Sequence, residues 1–312
     1  VSNTRQMFVD NNGIDLSNWK ELLKNGEKAG IDTYFSRVSE LNLRNSIFID
    51  ITANQNVSEM YEPYLRQNIA VVTCNKIACA SSSENYNILK NVSRKSNVSF
   101  LYETNVGAGL PIIDTLKNLI ASGDRVHKIQ AVLSGSLNFV FNKFDASTTF
   151  SSVVKQAAIE GYTEPDPKID LSGIDVARKI LILARESGIE MNLEDIDNTS
   201  FLSASGLKSD TVEDFYNTLI ADEAHYQSLY ASSKANHCQL KYVAKLDNGK
   251  ASVSLQEIPE GHPFYNLEGS DNIVMFYTQR YPKQPMIIKG AGAGADVTAS
   301  GLFADIIRIG ND

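Results

Sequence analysis

Cysteine is scarce, with three in 312 residues, and Cys74, Cys79 and Cys238 show no paired spacing of the kind that holds a metal. Their odd number builds no disulfide framework, which points to a reducing, cytoplasmic compartment. Long hydrophobic runs are missing as well. The purely apolar stretches are only a few residues long, such as 180–184, against the roughly 20 that a membrane span needs. Positive charge is in deficit, with 29 Lys and Arg against 37 Asp and Glu for a net charge of -8. The basic residues are also scattered, so nucleic acid is not an expected partner and a small-molecule substrate is. The four histidines, His127, His225, His237 and His262, are too separated to suggest a metal or catalytic cluster. No G-x-S-x-G or Cys/His nucleophile pattern occurs, which leaves hydrolase chemistry without support. The opening Val1-Ser2-Asn3-Thr4-Arg5 has no initiator Met and no signal-like region, so the chain reads as a fragment that begins inside an element.

What is present is the composition of an ordinary globular protein, 43% hydrophobic and 21% charged, long enough for about two domains at roughly 150 residues each. The first third alternates β-favouring runs with helical patterns. Strands are predicted over 47–51, 70–73 and 98–102, and helices over 15–23, 34–43, 57–66 and 83–95. Continuous apolar strands separated by helices predict an α/β domain with a doubly wound, Rossmann-like parallel sheet. After Gly107 the texture changes. Helices over 111–122, 136–144, 151–160, 172–187 and 212–232 accompany strands over 126–133, 239–245, 251–258 and 273–278, which predicts an α+β domain with a largely antiparallel sheet. A helix over 297–309 then returns to the first domain. The expected division is a dinucleotide-binding domain over 1–107, completed by 290–312, and a substrate-binding, catalytic and dimerisation domain over 108–289.

The densest chemical signal is Gly161-Tyr-Thr-Glu-Pro-Asp-Pro-Lys-Ile-Asp-Leu-Ser-Gly-Ile-Asp-Val-Ala-Arg-Lys179. Two prolines and Gly161 shape a loop carrying Glu164 and Asp170, and the helix that follows is apolar nearly all round, the pattern of a buried helix. Asp175 and Lys179 interrupt it one turn apart. One reading is an ordinary i,i+4 pair that supports the helix. The other starts from the cost of burying charge, which must be paired or functional. Three carboxylates, Glu164, Asp170 and Asp175, exceed what one lysine needs. The surplus suits a substrate ammonium and leaves Lys179 as a proton donor.

Further along the predicted parallel sheet, Asn75 and Lys76 sit just past the C-terminal end of a strand, the edge where ligands of such sheets bind, though a solvated loop lysine is equally ordinary. The turn Tyr102-Glu-Thr-Asn-Val-Gly-Ala-Gly-Leu-Pro111 could offer oxygens to a hard cation or be a plain strand-to-helix turn. Gly290-Ala-Gly-Ala-Gly294 precedes a helix and is a candidate nucleotide contact at a helix N-terminus, but it is not the G-x-G-x-x-G fingerprint.

Together Asn105-Val-Gly-Ala-Gly-Leu-Pro111, Leu133-Ser-Gly-Ser-Leu-Asn138, Gly161-Tyr-Thr-Glu-Pro-Asp-Pro167, Asp175-Val-Ala-Arg-Lys179 and Gly290-Ala-Gly-Ala-Gly294 resemble the homoserine dehydrogenases over the whole chain. Features such as Asn18-Trp19 and Thr104-Asn-Val106 are most similar to the form fused behind an aspartate kinase. The resemblance implies NAD- or NADP-dependent interconversion of L-aspartate 4-semialdehyde and L-homoserine, on the branch towards threonine and methionine. It also implies a homodimer and an aspartate kinase domain upstream. It casts Lys179 as general acid, Lys76 as a second lysine that meets substrate and cofactor, and Glu164, Asp170 and Asp175 as substrate-side residues. It further implies a monovalent cation, usually sodium, at Glu103, Val106, Ala108 and Leu110. Two departures stand out. The family's usual Asn-Lys-Lys reads Asn75-Lys76-Ile77, and Val1-Ser2-Asn3 looks like the end of a second strand, so the fold is expected to lack its first strand and Gly-rich turn. Asn3 and Arg5 then fall beside a cofactor's ribose, where Arg5 would favour a 2'-phosphate, or else is a plain surface arginine. Thr52 and Gly294 complete the expected cofactor contacts. The competing readings are a dehydrogenase for another amino-acid semialdehyde and a non-catalytic dimerisation and regulatory module.

Overall fold

The structure, a computed structural model, describes residues 1–311. Among the described residues eleven strands form three sheets: β1 Gln6–Met7, β2 Glu27–Lys28, β3 Ile47–Asp50, β4 Ala70–Thr73, β5 Phe100–Leu101, β6 Val126–Val132, β7 Asp197–Thr199, β8 Cys238–Asp247, β9 Lys250–Pro259, β10 Asp271–Thr278 and β11 Met286–Ala291. The apolar runs of β3, β4 and β5 pair in parallel and in chain order, as expected of the α/β part. Helix Ser83–Ser96 makes the crossover from β4 to β5. Its first turn is capped by the Ser82 hydroxyl, which accepts from the Asn85 N–H at 3.2 Å, and its last turn ends on Asn97 at φ 50°. The predicted helix over 57–66 divides into Gln55–Ser58 and Tyr61–Arg66. Pro63 has no N–H to continue a helix and is accommodated only in the first turn of a new one.

Residues 1–3 do not join the parallel sheet, contrary to the expectation of a strand end there. The Asn3 carboxamide oxygen accepts from the Arg5 and Gln6 N–H groups, both at 2.8 Å, and reverses the chain. Val1 then accepts from the Phe8 N–H at 2.8 Å, while β1 pairs antiparallel with β2. Main-chain groups that need partners find them locally.

The second sheet runs β11-β10-β6-β8-β9-β7, antiparallel except where β7 lies parallel to β9. Against it packs helix Ile174–Glu186, which buries Val176, Ala177 and every residue from Ile180 to Arg185, so the all-round apolar pattern does mark a central buried helix. The predicted helix over 212–232 breaks at Asp222 into Val212–Ala221 and Glu223–Ala235. Its Glu223 carboxylate is drawn to the Phe150 N–H at 2.8 Å, a tertiary bond that periodicity cannot report. β11 continues through Ala291, just past the expected boundary at 290. Helix Ala295–Asn311 then lies across β4 and the turn at 103–105, where Asp305 accepts from the Glu103 N–H at 3.1 Å. No helix among the described residues is long and apolar enough to cross a membrane.

Candidate active site

Helix Ile174–Glu186 begins at Gly173, whose φ is 76°, so Asp175 falls in its first turn, where the helix dipole favours a carboxylate. One turn on, the Lys179 ammonium lies 2.8 Å from Asp175 Oδ2 and donates to the Leu133 carbonyl at the end of β6 at 2.7 Å. Lys76, just past the C-terminal end of β4, brings its ammonium to 3.5 Å from Asp175 Oδ1. One carboxylate therefore bridges two lysines from separate elements. Burial pushes the Asp175 carboxyl up, but the Lys179 and Lys76 cations outweigh it and hold it well below the usual carboxylate range.

The expected gathering of three carboxylates around one lysine is not what the structure places here. Asp170 Oδ1 accepts from the Ser136 hydroxyl at 2.9 Å and Oδ2 from the Glu164 N–H at 2.8 Å. Burial raises the Asp170 carboxyl, opposed by these two bonds and aided by the nearby charges of Glu164 and Asp175. Glu164 contributes its main chain to this arrangement, while its residue is exposed on the loop. The physical reason is that the loop meets Asp170 through the Glu164 N–H and not through its carboxylate.

A cleft of about 330 Å³ opens over these groups, walled by Ser134, Ser136, Asp170, Asp175, Lys179 and Gly294 among others. Ser136 and the Leu133 carbonyl were not singled out as functional from the sequence. The available signal was a Ser-Gly-Ser directly after a strand, in which Ser134 caps helix Gly135–Lys143 by accepting from the Leu137 N–H at 3.1 Å. Beneath this wall the fully buried Lys241 of β8 donates to Asn138 and Asn142 side-chain oxygens at 2.9 and 2.6 Å and to the Leu267 carbonyl at 2.7 Å. Burial without a bonded carboxylate pushes its amine down to about 8.

The expected cofactor residues are dispersed. Gly294 lies in the cleft wall at the start of helix Ala295–Asn311. Thr52 follows β3, with its N–H on Asp50 Oδ1 at 2.7 Å. The buried Asp50 also accepts from the Tyr61 hydroxyl at 2.6 Å and the Asn75 amide at 3.0 Å, which ties the ends of β3 and β4 and so sets the position of Asn75-Lys76. Asn3 and Arg5 are exposed in the β1–β2 ribbon, and among the described residues the Arg5 side chain makes no hydrogen bond.

At the expected cation turn, the buried Glu103 carboxylate caps helix Ile112–Ala121, accepting from the Ile113 and Asp114 N–H groups at 2.7 Å each. Burial pushes its carboxyl up to about 7, opposed by those two bonds and aided by Asp305 and Asp114. Leu110 already accepts from the Ile112 N–H at 2.8 Å. No cluster of three or more His, Cys, Asp and Glu side chains among the described residues could hold a metal ion. Any cation here would rest chiefly on main-chain carbonyls, and it would offset the negative charge that Glu103 shares with its neighbours.

Comparison with known proteins bears on this arrangement. The homoserine dehydrogenase family profile matches residues 111–307, and the profile of the homoserine dehydrogenase NAD binding domain matches residues 7–103. The chain is 40% identical over 313 residues to the chloroplastic bifunctional aspartokinase/homoserine dehydrogenase 2 of Zea mays, covering 99% of this chain and 34% of that protein. It thus spans about a third of the length of such bifunctional relatives. It is 37% identical to the homoserine dehydrogenase of Schizosaccharomyces pombe over 95% of this chain and 81% of that one. Among solved structures, a Candida auris protein of unknown function aligns with a TM-score of 0.91 at 36% identity, covering 99% of this chain and 88% of that one. A hyperthermophilic archaeal homoserine dehydrogenase in complex with NADPH aligns at 0.71 and 26% identity, covering 92% and 76%. On these matches the chain belongs to the homoserine dehydrogenase family.

Proposed function

We propose that the protein interconverts L-aspartate 4-semialdehyde and L-homoserine with NADPH as reductant, as a soluble cytoplasmic enzyme. The observation that carries this reading is the Asp175 carboxylate held between Lys179 and Lys76 on the floor of the cleft. A nicotinamide cofactor, when bound, supplies the hydride. Lys179, held between Asp175 and the Leu133 carbonyl, donates a proton to the substrate's carbonyl oxygen as negative charge develops there. Asp175 orients both lysines, and Lys76, from the end of β4, meets substrate and cofactor together. Asp170, with Glu164 at the rim, offers negative charge to the substrate ammonium. Gly294, Thr52, Lys76, Asn3 and Arg5 are the groups proposed to face the cofactor, with Arg5 favouring a 2'-phosphate. Sodium at the carbonyls of Val106, Ala108 and Leu110 beside Glu103 would balance the buried carboxylates. The two-part division near 107 and 290, a homodimer joined through the six-stranded sheet and an aspartate kinase domain in the same polypeptide complete the proposal.

The test is the loss of NADPH absorbance when the full-length protein is given L-aspartate 4-semialdehyde, with glutamate 5-semialdehyde as a second arm. Turnover with the first substrate is expected. Preference for the longer semialdehyde would replace the substrate assignment. No turnover with either, in a protein that binds NADPH, would leave a regulatory module.

A further inference from the structure

Two charged residues at the far end of helix Ile174–Glu186 take no part in the chemistry above. Arg185 is buried, at 7% exposure, with its guanidinium 5.0 Å over the Tyr86 ring, and among the described residues it hydrogen-bonds only to main-chain carbonyls: Cys79 at 2.8 Å, Ser81 at 2.7 Å, and Met191 at 3.0 and 2.9 Å. Its neighbour Glu186 accepts from the hydroxyls of Tyr86 and Tyr102 and lies 3.1 Å from the Lys90 ammonium. Glu186 therefore already joins the helix to the parallel-sheet part of the chain. Burial of a second charge, without a carboxylate partner, is a costly addition to such a joint.

The carbonyls that Arg185 holds identify its task. Cys79 and Ser81 belong to the tight turn that follows Lys76, in which the Ala80 N–H bonds to the Lys76 carbonyl at 2.9 Å. Arg185 and Asp175 stand on one rigid helix, about 15 Å apart at 1.5 Å per residue. Asp175 meets the Lys76 ammonium at one end of that helix, and Arg185 grips the Lys76 turn at the other. We infer that Arg185 is a positioning residue, which sets the Lys76 ammonium against Asp175 by clamping the Cys79 and Ser81 carbonyls to the helix that carries Asp175 and Lys179. The planar fork suits this role. Its spread N–H groups hold the Cys79, Ser81 and Met191 carbonyls in one fixed geometry, where a lysine would bring a single point of charge.

The inference rests on Lys76 serving the proposed reaction, so its tests read placement and turnover separately. In the full-length protein, Arg185→Lys keeps the charge and loses the fork. Acetylation of Lys76 by an amine-reactive ester, followed by peptide mass spectrometry, is expected to quicken several-fold, because the ammonium leaves its carboxylate. Lys90→Met, which loosens the Glu186 joint and leaves the carbonyls held, should label Lys76 at the wild-type rate. Turnover in Arg185→Lys should fall about tenfold, as displacement of a site group does. In a Lys76→Ala background the same change should cost less than about twofold, since both act through one amine. Unchanged labelling of Lys76 in Arg185→Lys, or losses that multiply in the double variant, would overturn the inference. Wild-type turnover in Lys76→Ala would instead remove the proposed role of Lys76, and the labelling would then decide the clamp alone. Hydrogen exchange on the unsubstituted protein supplies a reading that needs no variant. The amides of Ala80 and Ser81 should open together with those of Ser187 to Ile189 as one cooperative unit, and independent, faster exchange of the first pair would count against the clamp.

Discussion

The Lys179 ammonium has three N–H donors, of which the Asp175 carboxylate and the Leu133 carbonyl take two. One donor remains, which the proposed reaction assigns to a substrate oxygen. Lys179→Ala is therefore expected to depress kcat by roughly 10²-fold or more with little change in NADPH affinity, measured by steady-state kinetics and direct titration. Asp175→Asn keeps the shape and removes the charge between the lysines, so KM for the semialdehyde should rise while kcat falls. Near-normal turnover in Lys179→Ala would pass the proton-donor role to Lys76. The sequence carried this pair plainly, since i,i+4 spacing on an apolar helix is a local pattern. The resemblance set Lys76 at the same substrate, but no local pattern showed that it would reach this carboxylate, nor that Asp170 would take the Glu164 N–H. Those depend on how a loop and a strand end pack against the helix.

Two elements hold this arrangement in register. Gly173, at φ 76°, starts the helix that bears Asp175, and a Cβ built there would stand 2.0 Å from the Tyr242 hydroxyl oxygen. That hydroxyl is occupied in donating to Asn198 at 2.9 Å, so it cannot withdraw without losing its bond. Gly173→Ala should cost about 1–3 kcal/mol in urea unfolding, from left-handed backbone strain with the clash in addition; a variant as stable as the parent would show that the helix start can shift. The second element is the wall behind the cleft, where β8 anchors helix Gly135–Lys143 through Lys241. Its amine falls to about 8 in the folded protein against 10.5 ordinarily. Below pH 8 the lysine is charged in both states and its burial cost is felt in full. Between about 8 and 10.5 the folded state binds fewer protons than the unfolded one, so this residue's contribution to stability rises with pH. Thermal unfolding of the wild type and Lys241→Met should accordingly diverge in favour of the wild type across that window. A gap in Tm that does not change with pH would contradict the depressed amine. Element types were mostly legible, because β4 and the helices around 83–96 and 174–186 follow strong periodicity. The break near Met60 was written only as Pro63, which the apolar periodicity masked, whereas the break at Asp222 and the two- and three-residue strands β1, β2 and β7 were not legible, because each depends on a partner distant in sequence or on too few residues to make a pattern.

At the scale of the whole molecule, helix Ala295–Asn311 brings the end of the chain back to the turn at 103–110. Arg308 pairs with Asp114 at 3.0 Å on a partly exposed face, an interaction worth at most about 1 kcal/mol. Closer contact comes from Gly301, where an added Cβ would stand 2.6 Å from the Thr104 methyl and 3.0 Å from the Gly109 main chain. Gly301→Ala should lift the helix from the turn and cost about 1–3 kcal/mol in chemical unfolding, as overpacking does. It should also weaken any response of stability to sodium, because the same turn carries the Val106, Ala108 and Leu110 carbonyls. A variant that unfolds and responds to sodium like the wild type would show that the contact relaxes freely.

The sequence alone determined the α/β and α+β parts, the central buried helix with its Asp175–Lys179 pair, and the family, because periodicity, capping and contiguous motifs act over a few residues. Only the tertiary structure decided that Lys76 shares Asp175, that Glu103 spends both carboxylate oxygens on a helix N-terminus, that Val1 to Asn3 fold back on their own ribbon, and that Arg185 grips the Lys76 turn. Each of these is a choice of partner for a charged or main-chain group. Such a group bonds to whatever the packing of separate elements brings within about 3 Å, and that proximity is not written in any local stretch of the chain.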